Sequence, residues 1–182
     1  MTDTKQPEVW LRGPLPGIGP FLQPVAHSLL QCREEVRRTL AGLTTEHLRK
    51  RPGDAASVAY HVRHAIGSLD RLLTYARGEL LSPEQLSALA SEPGANESSA
   101  TALEHIAAFD LAVHHAITQL GATGEATLLT ARGVGRARLP STVLGSCFTR
   151  RSIRSGTLVR RSRRARSFAP DLRDRRNPIE CR

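Results

Sequence analysis

Histidine is the residue type in this chain with the spacing to do chemistry. His61 and His64 are three apart, and His105, His114 and His115 fall in a later segment. On a helix a three-residue step puts two side chains on neighbouring parts of one face, so His61 and His64 can point toward a common site. Imidazole is the commonest neutral metal ligand, which makes the pair candidate ligands of a divalent ion. Two ligands do not complete a catalytic centre, which takes three protein groups and keeps a position open for water or substrate. The plainer reading is that these are polar groups at the edge of a core. His114 and His115 are adjacent, about 100° apart on a helix, and read as solvated; His27 and His47 read as structural or exposed. No catalytic residue is assigned: the chain has no G-x-S-x-G, phosphate loop, H-E-x-x-H or dinucleotide fingerprint, and no Glu or Cys stands out as base or nucleophile.

The elements that must position these groups read as helices. From Leu22, apolar residues recur as Val25, Leu29, Cys32, Val36 and Leu40, with Gly42 as a stop. After the connection "LTTEHLRKRPGD", Ser57 is an N-cap for a helix whose apolar face runs Val58, Val62, Ala65, Leu69, Leu72 and Ala76, ending at Gly78. Ser82, Pro83 and Gln85 form a capping signature for a short helix to about Ala90. A further long helix carries Leu103, Ile106, Val113, Ile117 and Leu120 at helical spacing, with Asp110 interrupting the stripe. Residues 121–139 read as a loop with a hairpin around "GVGRARL", and Leu139 to Leu144 as the start of a last helix with Pro140 in its first turn.

Charge divides the chain. The 182 residues carry a net charge of +9, yet residues 1–145 hold 14 basic and 14 acidic side chains, while 146–182 hold 12 Arg, no Lys and 3 acids. Three domains follow: an extended Pro/Gly-rich arm over 1–20, a helical domain over 21–145, and an Arg/Ser-rich tail over 146–182. The tail could neutralise phosphates, but with 4% aromatics the chain lacks a stacking platform, and nucleic acid is not the expected partner. Three cysteines, none at C-x-x-C spacing, suit neither a disulfide framework nor a zinc knuckle. With no signal-peptide pattern and no apolar run of about 18 residues, the expectation is a soluble cytoplasmic protein away from membranes.

The stretch "LAGLTTEHLRKRPGDAAS" followed by "SVAYHVRHAIGSLDRLLTYARGELLSPEQL" resembles the DinB/YfiT-like superfamily, over roughly residues 20–145. The resemblance implies an all-α, antiparallel four-helix bundle. One His of the second helix and an H-x-x-x-H pair of the last helix would hold a divalent metal, zinc, nickel, manganese or iron. By that match His64 occupies the ligand position and His61 is the second candidate. It also implies metal-dependent hydrolase or thiol-transferase activity on a small molecule, with a low-molecular-weight thiol as co-substrate.

The expected pair is missing: after "RLPSTVLG" comes "SCFTRRSIRSGTLV", and no histidine follows His115. Joining the third base of one codon to the first two of the next, Phe148-Thr149, Ser152-Ile153 and Gly156-Thr157 each encode His when the first codon ends in C. Three histidines then stand at intervals of four. The expectation is a shift of reading frame near Gly145 or Ser146, leaving the final helix truncated or garbled and metal affinity poor. A second functional class is a nonenzymatic bundle that binds a small molecule or dimerises through the open seam.

Overall fold

Helix α1 forms where the first apolar stripe lies, over Gln23–Leu40, burying Val25, Ala26, Leu29, Cys32, Val36 and Leu40. Its stop coincides with Gly42, whose φ of +75° is a conformation glycine adopts without a Cβ clash. In the computed structural model, which describes residues 6–148, five more helices follow. They are α2 (Thr45–Arg49), α3 (Val58–Arg77), α4 (Pro83–Ser91), α5 (Ala102–Ala122) and α6 (Val143–Cys147). The fold is all-α, as expected, with one small antiparallel hairpin of β1 (Ala131–Val134) and β2 (Leu139–Thr142) in the register Ala131 to Thr142.

Local chemistry sets most boundaries. The Ser57 hydroxyl accepts from the Tyr60 N–H at 3.1 Å to open α3, and Gly78, left-handed at φ +84°, closes it. Reciprocal capping boxes open α4 (Ser82 with Gln85) and α5 (Thr101 with Glu104). Helix α2 lies in what the sequence reads as connection. Thr44 caps it, and His47 at the third helical position closes a capping box of the same reciprocal kind.

Two expectations need correction. The buried face of α5 is His105, Phe109, Val113, Ala116 and Leu120, whereas Leu103 is 77% exposed and Asp110 pairs with Arg37 at 2.6 Å. Phe109, 1% exposed, anchors the helix about one position away from the stripe read in the sequence. The segment 139–142 is a strand, not a first helical turn. Its pairing with β1 takes the extended backbone, and α6 starts at Val143 behind the Thr142 cap.

Helices α1 and α5 pack together, α5 packs on α3, and α3 on α6, so α3 and α5 are central. Helix α1 runs antiparallel to α5: Arg37, near its end, meets Asp110, while Gly17, just before its start, lies against Gly121. Helices α3 and α5 run the same way. Gln119 donates to the Leu73 carbonyl and accepts from Arg77, and His105 in the first turn of α5 feels the charge of Arg63 near the start of α3. The segment 78–101 makes this possible as a long crossover beside α3. Gln85 reaches Asp70 and Thr74, and Ser91 and Glu92 reach Arg63 and His64. Helix α6 is tied by Val143 N–H to Thr130 O and Leu144 N–H to Leu128 O.

The N-terminal segment lies along α1. Val9 is buried with its N–H on Gln31, Arg12 grips the Glu34 carboxylate with both terminal nitrogens, and His27 Nε2 bonds the Gly13 carbonyl. The resemblance places the H-x-x-x-H pair, and with it the frame-shifted reading, in residues beyond 148, outside those described.

Candidate functional site

The site is built on the first half of α3. Ser57 fixes where the helix begins, and the 3.6-residue period then sets Tyr60, His61, His64 and Ser68 along one side. Tyr60 touches both candidate ligands: its ring stacks parallel on His64 with centroids 5.8 Å apart and meets His61 edge-on at 5.5 Å. Tyr60 is thus the ring neighbour of both His61 and His64. Both rings are partly buried.

His64 has a partner that sequence reasoning missed. Its Nδ1 lies 2.7 Å from Glu92 Oε2, and the other carboxylate oxygen, Oε1, accepts from Arg71 Nη1 at 2.7 Å. Glu92 and Arg71 are 5% and 9% exposed, so the pair is held away from water. A buried carboxylate is stable only when its lone pairs are met, and here a guanidinium and an imidazole meet them. A carboxylate accepts but does not donate, so neutral His64 carries its proton on Nδ1 and presents its lone pair at Nε2. That fixed tautomer is what a metal-binding or basic imidazole requires. Gly67 is part of the arrangement: a Cβ there would stand 2.7 Å from Arg71 Nη1 and 2.8 Å from Glu92 Oε1.

Glu92 escaped the sequence because it is 28 residues from His64 and sits at the end of α4, where it looks like one more surface acid. One signal was available. Arg71 lies beside the apolar stripe of α3, and an arginine at the margin of a buried face needs an anion.

Beyond Nε2 stands Ser68, one helical turn on, with Oγ at 3.4 Å. Serine, histidine and glutamate in this order suggest a nucleophile triad. The geometry does not support it: 3.4 Å is long for activation, and the hydroxyl is buried. Inside a helix the adjacent N–H groups are spent on the backbone, so no oxyanion hole accompanies the serine.

His105 is the other buried imidazole. It is 7% exposed, its Nε2 has no hydrogen-bond partner among the described residues, and burial holds its pKa below the ordinary value near 6.5. It is therefore a neutral core ring. His114 and His115 are exposed on α5, their rings 6.1 Å apart.

All seven histidines fall within the described residues, and no group of three or more His, Cys, Asp or Glu there could hold a metal ion. A three-imidazole centre does not fit this chain: among the described residues His64 has no two further donors beside it. Cys147, at the end of α6, is partly buried, and burial pushes its thiol pKa up, which suits neither a ligand nor a nucleophile.

No helix among the described residues is long and apolar enough to cross a membrane. No curated protein matches the chain. Residues 28–147 match the profile of the DinB superfamily, covering α1 to α6 and every residue of the site described above. The chain belongs to the DinB superfamily.

Proposed function

We propose that this chain descends from divalent-metal-dependent hydrolases or thiol transferases, and that it retains one metal ligand, His64, in a centre it can no longer complete. One observation supports this above the others. The buried Glu92–Arg71 pair holds His64 in the Nδ1–H tautomer and leaves its Nε2 lone pair only the long 3.4 Å contact with Ser68 Oγ, although no three-donor group surrounds it among the described residues. The buried pair stands behind a half-exposed imidazole, in the position of the carboxylate partner that orients a metal-binding histidine. His61, against the same tyrosine, is the second candidate. In a relative with a complete centre, a bound metal would polarise the substrate or lower the pKa of a bound water or thiol. In this chain His64 can offer only a single basic nitrogen.

The shifted frame is the proposed cause of the loss. Restoring it by one inserted base near the Gly145 codon returns H-x-x-x-H to the last helix. The expected result is one tightly bound zinc, nickel, manganese or iron ion per restored chain, lost again with His64→Ala. A Phe148 codon ending in T, or a restored chain that binds no more metal than the original, rules the proposal out.

A further inference from the structure

Helix α5 is apolar on more than the face it buries. Opposite Phe109 and Val113 its outward surface carries Leu103, Ala107, Ala108 and Leu111, with Leu103 77% and Leu111 56% exposed. The one carboxylate on that surface is Glu104, since Asp110 is committed to Arg37. Helices apolar all round are covered on both sides in the folded assembly. The arm lies on α1, and α3 packs on the inner side, so among the described residues this face has no cover.

The order of residues identifies what covers it. Glu104, Ala108, Leu111 and His115 step by four, three and four, which keeps them in one row, and all four are exposed. The row reads the same spacing in either direction. Laid antiparallel on a copy of itself, it sets Glu104 opposite the partner's His115 and Ala108 opposite the partner's Leu111. Each large residue meets a small one, and each acid meets an imidazole able to donate to it. Glu104 uses Oε2 for both bonds to Thr101, 2.7 Å from the N–H and 2.8 Å from the hydroxyl, which leaves Oε1 for a donor across the interface. We infer that the outer face of α5 is a homodimer interface, formed by two antiparallel copies of the helix about a two-fold axis near residues 109 and 110.

Sedimentation velocity of the full chain over a concentration series tests this, with circular dichroism to confirm folding. A dimer is expected. Leu111→Glu should leave only monomer, and His115→Glu, which sets two acids against each other, should weaken dimerisation at least about ten-fold, as like charges in contact do. Adding Glu104→Gln, which preserves the capping box, should recover part of that loss. Leu80→Glu, at a still more exposed site outside the row, should change nothing. A monomer at every concentration overturns the inference. So does a dimer indifferent to both Leu111→Glu and His115→Glu, which is the result expected if the contact lies on the open seam instead.

Discussion

At the scale of single residues, the decisive group is Glu92, because two others depend on it. Removing it strands Arg71 as a buried unpaired cation, so Glu92→Ala should cost about 3–5 kcal/mol in urea unfolding. A loss below about 1 kcal/mol, the range of an exposed pair, would show that the pair is not buried in solution. Gly67 offers a test of sign. Alanine in place of a helical glycine ordinarily gains up to about 1 kcal/mol, but here the added methyl collides with both members of the pair. Overpacking of this kind costs about 1–3 kcal/mol, so Gly67→Ala should be net destabilising. His105 gives a pH dependence. Burial, the main cause, and the Arg63 charge lower its pKa, while Glu104 opposes them. The unfolded chain therefore takes up a proton that the folded chain resists. His105 thus favours folding fully above about pH 6.5 and progressively less as pH falls through its lowered folded-state value. The unfolding midpoint should drop more steeply between pH 7.5 and 5 in the wild type than in His105→Leu. Equal slopes would mean that His105 titrates freely.

At the scale of elements, what the sequence made legible was whatever is settled locally. Ser57, Gly78, Ser82 with Gln85, and the α1 stripe each act within one turn of the backbone they control, and each is where the sequence put it. Ser57 is fully buried and caps the helix that carries the site, so Ser57→Ala should cost about 1–2 kcal/mol by thermal or urea unfolding. No loss would show that α3 does not rely on its cap. What escaped was decided by distant partners. The true inner face of α5 could not be told from Leu103 and Ile106 because α5 is apolar on both sides. The extended backbone of 139–142 depends on pairing with 131–134, which a helical pattern does not reveal. The same holds for the site: His64 and His61 were visible from their spacing, while Glu92 reaches His64 only because the crossover returns along α3.

At the scale of the whole molecule, the domain matches the DinB superfamily over residues 28–147, to the end of α6, while the H-x-x-x-H pair that would complete a three-imidazole centre is absent from the sequence. The crossover connection brings the crossover's carboxylate to α3 and, among the described residues, leaves the outer face of α5 uncovered, so the His64 environment and the proposed dimer surface arise from the same topology. Metal content is the most direct check. The purified chain should be incubated with zinc, nickel, manganese and iron(II), desalted, and analysed for metal per chain. The result expected is well below one ion per chain for every metal, unchanged by His64→Ala. One tightly held ion per chain that disappears in His64→Ala would contradict it, because His64 would then have found the companions that its surroundings do not supply.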